Sequence, residues 1–379
     1  SASLRRMRTT TARSVVLSLK GGSSAGAAIH RQSRNPRSTT FVHRGGSLFG
    51  LKFGGICGAI ALTSASVCAF SGKAVAFAGS ERGMAGIERG KKPKIAVAQM
   101  RSVDDAEANL AQCRTLVKEA VKQGAALLSL PECFEYMGIP GKGDALKAAQ
   151  PLSGPLLSQY RELAKAEGIW LSLGGFHEAS PEPEKMYNTH VIVDSGGEIV
   201  ASYRKLHLFD VDYDGGFRES ATTIKGQEAL LVRDTPVGNI GVTTCYDLRF
   251  PELYTALRRA GANVLLVPSA FMPSTGEAHW HVLLRARAIE TQCYVAAAAQ
   301  AGRHNEKRAS FGHALIVDPW GKVVCDLGAE GTGIGISVID PELLDSVRTR
   351  MPVLEHRRSE VISVVVGDNG QRLRVTPAL

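Results

Sequence analysis

The sequence predicts an α/β domain, a mixed β-sheet covered by helices, behind a long basic N-terminal leader. Apolar, β-branched runs alternate with amphipathic helical segments from residue 93 to about 360, and no break or fixed repeat divides that range. Such alternation is typical of sheets whose faces are covered by helices. The first 80 residues contain no acidic residue. We therefore expect a disordered leader and linker at 1–92, one folded domain at 93–365 and a C-terminal tail at 366–379.

The leader carries the excess positive charge of the chain. The 379 residues include 45 Lys and Arg and 36 Asp and Glu, which gives a formal net charge of +9. Eleven of the basic residues lie in 1–80, which leaves 34 basic and 36 acidic residues elsewhere. Because the charge belongs to a tail and not to a folded face, we expect no nucleic-acid binding.

The composition of the leader is typical of an organelle-targeting segment. Residues 1–35 are rich in Arg, Ser and Thr and lack acids, as the transit peptides of mitochondria and plastids do. Residues 48–70 are long enough to cross a bilayer but are only moderately apolar and are interrupted by Lys52. We favour a leader that is removed over a membrane anchor. A start at Met84 would give a cytoplasmic form.

The seven cysteines are scattered and form no C-x-x-C pair. This spacing disfavours a zinc ribbon or a thioredoxin-type site and favours free thiols in a reducing compartment. Cys113 falls on the apolar face of a predicted helix and is expected in the core. We expect Cys133 to serve packing and not chemistry.

The spacing of apolar residues and the positions of Gly and Pro predict the individual helices and strands. Leu110, Cys113, Val117 and Val121 have helical spacing, Gly168 is a C-cap candidate, and Pro251 suits a first helical turn. The predicted helices are 106–123, 156–167, 251–260 and 278–292. The predicted strands are 94–100, 125–130, 169–173, 189–193, 199–203, 229–232, 237–243, 263–268, 294–299, 312–317 and 323–326.

Cys245 lies at a predicted strand-to-helix turn. Such a turn exposes a side chain at the carboxyl end of a strand, and the helix N-terminus favours a thiolate over a thiol. The backbone N–H of Tyr246 would point towards an oxyanion formed beside the sulfur. Most cysteines are core residues, however, and a nucleophilic thiol needs a base. The turn alone leaves both interpretations open.

Two charged residues follow other predicted strands. No histidine is clearly placed as a base, because His279 and His281 flank Trp280 on a predicted helix. A glutamate with a tuned pKa can replace histidine. Glu132 follows a buried strand, where α/β sheets place active-site groups, and Lys205 follows another. From these patterns alone, a loop carboxylate and a solvated lysine remain alternatives.

Together the three segments resemble the motifs of the nitrilase superfamily of carbon–nitrogen hydrolases. Residues 130–132 (LPE), 203–207 (YRKLH) and 244–252 (TCYDLRFPE) match its Glu, Lys and Cys motifs in order and spacing. The resemblance covers about 93–359. It implies an α-β-β-α sandwich, a homodimer or higher homo-oligomer, and no metal or organic cofactor.

The resemblance also implies roles for individual residues. Cys245 attacks a carbonyl carbon and forms a thioester, and Glu132 moves the protons. Lys205 stabilises the tetrahedral oxyanion together with the Tyr246 N–H. Glu219, in the segment Phe217-Arg218-Glu219-Ser220, matches a second glutamate that orients the substrate or Lys205.

The residues after the cysteine favour an amidase. Tyr246 and Asp247 stand where true nitrilases typically have Trp-Glu. Arg249 matches the position at which relatives that act on carboxylate-bearing substrates bind the carboxylate, which suits a bidentate guanidinium. An ion pair of Arg249 with Asp247 or another core acid is the alternative.

Residues 275–310 resemble the deaminated glutathione amidase branch, which produces 2-oxoglutarate and cysteinylglycine in metabolite repair. The segments 302–304 (GRH) and 306–308 (EKR) favour this branch over the ω-amidases. The basic side chains there, on Arg303, Lys307 and Arg308, either meet an anionic peptide tail or form a solvated loop. An ω-amidase acting on 2-oxoglutaramate, a ureido-acid amidohydrolase and a catalytically idle scaffold are the alternatives.

Overall fold

The computed structural model describes residues 92–212, 216–358, 361 and 373–377. The predicted leader, its apolar stretch at 48–70 and the start at Met84 lie outside the described residues. The organelle location therefore stays a prediction. The homo-oligomeric state stays a prediction as well. In the described part of the chain, no helix is both long and apolar enough to span a membrane.

The described residues form six helices and seventeen strands. The helices are α1 (Ala106–Lys122), α2 (Asp144–Ala148), α3 (Pro155–Glu167), α4 (Pro251–Ala260), α5 (Pro273–Thr291) and α6 (Pro341–Arg350). The strands in the first half are β1 (Lys94–Met100), β2 (Ala125–Leu130), β3 (Trp170–Ala179), β4 (Met186–Val193), β5 (Ile199–Arg204), β6 (Asp210–Val211) and β7 (Phe217–Arg218). Those in the second half are β8 (Ala229–Thr235), β9 (Gly238–Val242), β10 (Val264–Leu266), β11 (Tyr294–Ala297), β12 (Ala299–Arg303), β13 (Ala309–Phe311), β14 (Leu315–Val317), β15 (Val323–Asp326), β16 (Gly333–Val338) and β17 (Leu373–Pro377).

Two large mixed sheets account for nearly all of these strands. The first has the order β13-β12-β1-β2-β3-β4-β5, and β16 also pairs with β1. The second has the order β15-β14-β11-β10-β9-β8-β17, while β6 and β7 form a separate ribbon. Parallel pairs occupy the centre of each sheet, β1-β2-β3 in one and β9-β10-β11 in the other.

The alternating faces of β1 show how the layers stack. Ile95 and Val97 belong to a core shared with the second sheet. Ala96 and Ala98 point the other way, into a core shared with α1 and α3. This is the two-residue period of a strand buried on both faces. Because α4 and α5 cover the second sheet, the order of layers is helix, sheet, sheet, helix.

The predicted strand 294–299 is two strands in the structure. β11 pairs with β10 in the second sheet, whereas β12 pairs with β1 in the first. The chain thus crosses between the sheets at Ala298, which is fully buried. A continuous apolar run conceals this crossing, because both strands are buried and neither shows an alternating pattern.

Other boundaries differ for local reasons. α5 begins at Pro273 and not at 278, since proline is accepted in a first helical turn. The predicted strand 312–317 is shortened to Leu315–Val317, behind the left-handed residues Gly312 and His313. The predicted tail at 366–379 contains β17, which pairs in parallel with β8.

The cap of α1 provides a test of this helix layer. The Asp105 side chain accepts hydrogen bonds from the N–H groups of Glu107 and Ala108, both at 3.0 Å. Asp105→Ala leaves these amides without that acceptor, so we expect a loss of about 1 kcal/mol in the free energy of unfolding, measured by urea denaturation. Asp104→Ala removes the neighbouring exposed carboxylate and should cost less than about 0.5 kcal/mol. Equal losses in the two variants would contradict the capping role.

Candidate active site

A cavity of about 420 Å³ contains all six residues predicted for the site. Glu132, Lys205 and Cys245 line it, each just beyond the C-terminal end of a strand, namely β2, β5 and β9. The three other predicted residues, Glu219, Tyr246 and Arg249, also line it. The volume is in the range of small-molecule sites, which hold about 300–1,000 Å³.

Lys205 lies between two carboxylates. Its Nζ donates to Glu132 Oε1 at 2.9 Å and to Glu219 Oε2 at 2.9 Å. The Lys205 side chain is only 2% exposed, so both ion pairs are shielded from water. The second carboxylate, on Glu219, therefore orients Lys205 directly.

The Glu132 carboxylate is held on both oxygens. Oε1 also accepts a hydrogen bond from Asn188 Nδ2 at 2.9 Å, and Oε2 accepts one from the N–H of Ala270 at 3.1 Å. Gly175 makes room for this arrangement. It has φ +77°, and a Cβ at this position would lie 2.7 Å from Glu132 Cγ.

The electrostatics favour an anionic Glu132 and a cationic Lys205. Burial alone would raise the Glu132 pKa, but the Lys205 charge and hydrogen bonds from Cys245, Lys205 and Asn188 outweigh it and lower that pKa to about 2. Burial likewise opposes the Lys205 cation, but the Glu132 and Glu219 charges outweigh it and raise the Lys205 pKa well above 10.5. Each charge is thus stable because the opposite charge is buried beside it.

Cys245 is held as a neutral thiol. Burial, followed by the adjacent Glu132 carboxylate, raises the Cys245 pKa well above 9.0, and the opposing effect of Lys205 is smaller. The expectation that a helix N-terminus would favour the thiolate is therefore wrong. Cys245 begins a 3₁₀ turn of only five residues, Cys245–Arg249, instead of α4 itself.

The backbone at Cys245 is strained. Its φ of +47° is in the left-handed region, which costs a non-glycine residue roughly 1–3 kcal/mol. The conformation is fixed from both sides. The Cys245 N–H donates to Pro268 O at 2.9 Å, and the N–H of Asp247 donates to Thr244 O at 3.1 Å across the turn.

Asp247 connects the cysteine turn to the lysine segment. Its Oδ2 accepts from the N–H of Thr244 at 2.9 Å and from the Tyr203 hydroxyl at 2.6 Å. Its Oδ1 accepts from the backbone N–H of His207 at 3.1 Å and lies 2.7 Å from His207 Nδ1. Asp247 is fully buried. One carboxylate therefore sets the position of Cys245 relative to Lys205.

Comparisons with known proteins agree with this geometry. Residues 94–349 match the model of the family described as carbon-nitrogen hydrolase. The chain belongs to the carbon–nitrogen hydrolase family. This confirms the nitrilase-superfamily prediction and identifies the protein as a hydrolase of carbon–nitrogen bonds other than peptide bonds.

Several relatives of this hydrolase carry the name deaminated glutathione amidase. The Bos taurus protein is 50% identical over 274 residues, 71% of this chain and 83% of the relative. The Synechocystis protein is 43% identical over 271 residues, 70% of this chain and 98% of the relative. These likenesses support amide hydrolysis as the activity.

Solved structures confirm the α-β-β-α sandwich. The Caenorhabditis elegans NitFhit protein has a TM-score of 0.68 and 43% identity, covering 72% of this chain and 66% of that one. An amidase from Nesterenkonia sp. AN1, with an acetamide moiety added covalently to its active-site cysteine, has a TM-score of 0.60. It is 28% identical, over 72% of this chain and 97% of that one.

Arg249 of this hydrolase forms no ion pair with Asp247, whose oxygens are engaged as described above. Arg249 Nη1 lies 3.3 Å from His279 Nδ1, and its guanidinium lies 5.7 Å from the ring centroid of Tyr246 and 5.6 Å from that of Phe271. In the described part of the chain no carboxylate pairs with it. The alternative of an ion pair with a core acid thus finds no support, and the guanidinium faces the cavity.

The sequence-based prediction missed the roles of two polar residues. Asn188, on β4, bridges the two carboxylates, because its Nδ2 also donates to Glu219 Oε1 at 3.1 Å. Asp247 entered the prediction only as a branch marker and as a candidate partner of Arg249. The local pattern offers no signal for either role, since each depends on strands distant in sequence.

A second thiol lines the same cavity. Cys133 is 6% exposed, and its Sγ lies 3.9 Å from Nε2 of His177. Nδ1 of His177 lies 2.6 Å from Glu135 Oε1. Cys133 has φ +56°, which turns the chain directly after Glu132.

One group among the described residues has the composition of a metal site. The ligand atoms of His281, His313 and Asp326 lie within 4.8 Å of one another. None of these residues lines the cavity. The two imidazoles already contact the Asp326 carboxylate, each at 2.9 Å.

The low pKa of Glu132 predicts a pH dependence of stability. Since its folded pKa of about 2 is below the ordinary 4.5, its charged form stabilises the fold above 4.5, and that contribution is lost as the pH falls towards 2. We expect the stability difference between wild type and Glu132→Gln to shrink as the pH falls from 6 to about 3.5, measured by urea denaturation at each pH. A difference that stays constant over this range would exclude an ion-paired Glu132.

Asp247→Asn tests the link between the two segments. An amide offers one acceptor oxygen where four donors converge, and its own N–H groups would face donors. We expect kcat/KM for amide hydrolysis to fall at least about tenfold and the free energy of unfolding to fall by about 1–3 kcal/mol.

Asp318→Asn is the matched control for this substitution. Asp318 Oδ1 alone accepts from the N–H groups of Trp320 and Lys322, a role that an asparagine oxygen retains. Its kinetics and stability should match those of wild type. Normal kinetics in Asp247→Asn would contradict the positioning role.

Proposed function

We propose that this protein hydrolyses the amide of deaminated glutathione, through a thioester on Cys245, to 2-oxoglutarate and cysteinylglycine. The observation that carries the proposal is the grouping of Cys245, Glu132 and Lys205 in one cavity, with the buried Lys205 Nζ 2.9 Å from Glu132 Oε1. This set supplies a nucleophile, a base and an electrophile in one cavity.

The first half of the proposed reaction forms the thioester. Glu132 takes the proton of the Cys245 thiol as the sulfur bonds to the amide carbon. The carbonyl oxygen becomes an oxyanion, which the Lys205 ammonium and the N–H of Tyr246 stabilise. When the oxyanion collapses, the carbon–nitrogen bond breaks, and Glu132 returns the proton to the leaving nitrogen.

The second half restores the enzyme. Glu132 takes a proton from a water molecule, whose oxygen attacks the thioester carbon. The carbon–sulfur bond then breaks, the proton returns to the sulfur, and the carboxylic acid leaves. Each turnover consumes one water molecule and leaves Glu132 anionic and Cys245 a thiol, their resting states.

The substrate assignment rests on the relatives and on Arg249. Relatives that are 43–50% identical over 271–274 residues are named deaminated glutathione amidase. A guanidinium that has no acidic partner among the described residues, on the turn that carries the nucleophile, suits the carboxylate of a 2-oxo acid. The consequence would be metabolite repair, because a product of aberrant deamination is returned to two ordinary metabolites.

Cys245→Ala tests the nucleophile. We expect it to abolish amide hydrolysis and to remove an acyl adduct that intact mass spectrometry detects after acid quenching of wild type during turnover. Cys113→Ala removes a buried thiol of α1 outside the cavity and should retain both turnover and adduct. Undiminished turnover in Cys245→Ala would overturn the mechanism.

A comparison of two substrates separates deaminated glutathione amidase activity from ω-amidase activity. We expect kcat/KM for deaminated glutathione to exceed that for 2-oxoglutaramate, measured by release of cysteinylglycine or ammonia. The ω-amidase alternative predicts the reverse. Equal or greater activity on 2-oxoglutaramate would therefore replace the proposed substrate but keep the mechanism.

A further inference from the structure

Three arginines line the cavity, and they differ in their partners. Arg218 is exposed and forms an ion pair with Asp212. Arg249 has the carboxylate role proposed above. Arg308 is half-buried, and no carboxylate of the described residues pairs with it. Two guanidiniums are therefore available to anionic groups of a substrate.

The basic segment 303–308 divides into two kinds of side chain. Arg303 and Lys307 are exposed, lie outside the cavity lining, and Arg303 Nη1 donates to Glu306 O at 3.3 Å. Arg308 alone of the three lines the cavity. The sequence-based choice between a substrate contact and a solvated loop thus has a different outcome for each residue.

Buried hydrogen bonds fix the turn that carries Arg308. The Nδ1–H of His304 donates to Ser102 O at 2.8 Å, which leaves Nε2 to accept from the Ser310 hydroxyl at 2.8 Å. Burial lowers the His304 pKa to about 4, so the ring stays neutral and keeps this pattern at physiological pH.

The same turn is hydrogen-bonded to another part of the cavity wall. Asn305 Nδ2 donates to Gly138 O at 3.2 Å, and Gly138 lines the cavity together with the start of α2. The N–H of His304 donates to the carbonyl of Arg308 itself at 2.9 Å. The backbone at Arg308 is therefore held before any ligand binds, which lowers the entropy cost of binding.

The chemistry of the proposed substrate calls for two anion sites. Deaminated glutathione has one carboxylate on its 2-oxo acid portion and another at its C-terminal glycine, with the scissile amide between them. Arg249 and Arg308 come from different elements, the turn after β9 and the hairpin between β12 and β13, and both face the cavity that contains Cys245.

We propose that Arg308 is a second anion subsite, which binds the C-terminal carboxylate of the departing peptide. The inference rests on the proposed function. Arg249 binds the 2-oxo acid carboxylate of either substrate, whereas Arg308 contacts only a substrate with a peptide carboxylate. Because 2-oxoglutaramate lacks that group, Arg308 is a specificity-determining residue.

A cycle of enzyme and substrate changes tests this subsite. The variants are Arg308→Ala, Arg308→Lys and the control Lys307→Ala, and the substrates are deaminated glutathione and its C-terminal glycine amide. We expect Arg308→Ala to reduce kcat/KM for deaminated glutathione about 10- to 100-fold, mostly through KM. Its effect on the amide should be at least about tenfold smaller, and wild type should discriminate against the amide by a similar factor.

The remaining arms complete the test. Arg308→Lys keeps the charge without the bidentate fork and should recover part of the loss. Lys307→Ala removes one positive charge from the same turn and should leave kcat/KM for both substrates unchanged. If Arg308→Ala lowers kcat/KM equally for both substrates, Arg308 does not bind the C-terminal carboxylate and the proposal is overturned. If wild type does not hydrolyse deaminated glutathione, the proposed function fails and the subsite with it, whereas normal turnover with unchanged Arg308→Ala kinetics rejects the subsite alone.

Discussion

The buried ion cluster of Glu132, Lys205 and Glu219 is the interaction on which the rest of the site depends. Two carboxylates and one ammonium are almost completely withdrawn from water, which is costly unless each charge has a partner. Asn188 and the N–H of Ala270 satisfy the remaining carboxylate positions. The ends of β2, β5 and β7 must therefore keep their mutual positions for the cluster to exist.

The cluster also determines the state of the nucleophile. It carries two negative charges and one positive, so a thiolate at Cys245 would add a further negative charge beside Glu132. The thiol therefore stays protonated at rest, and in the proposed mechanism its deprotonation accompanies attack on the carbonyl carbon. A carboxylate with a depressed pKa is a weak base at rest, but the negative charge that Glu132 gives up in this step passes to the oxyanion, which Lys205 also stabilises. In the proposed mechanism, a glutamate thus has the role that histidine has in many thiol enzymes.

The sequence predicts the reactive side chains of this site better than the residues that position them. Glu132, Lys205 and Cys245 each follow a local strand pattern, so motif spacing predicts them as candidates, and the structure places all three around one cavity. The roles of Asp247 and Asn188 arise from strands far apart in the chain, and no local pattern records such contacts. The crossing between the sheets at Ala298 is hidden for a related reason, because residues buried on both sides lack the alternation that marks a single exposed face. The left-handed backbone at Cys245 is likewise fixed by the surrounding structure, not by a glycine.

In the proposed reaction, the distribution of charge in the cavity would constrain which carbonyl reacts. The reacting centre has a net negative charge from Glu132, Lys205 and Glu219, so a substrate carboxylate is disfavoured there and a neutral amide is accepted. Carboxylates are instead attracted to Arg249, at the edge of the cysteine turn. A molecule with an anionic end and an internal amide can satisfy both conditions only when the amide lies over the sulfur. In the proposed reaction, the position of the charges would thus select the scissile bond.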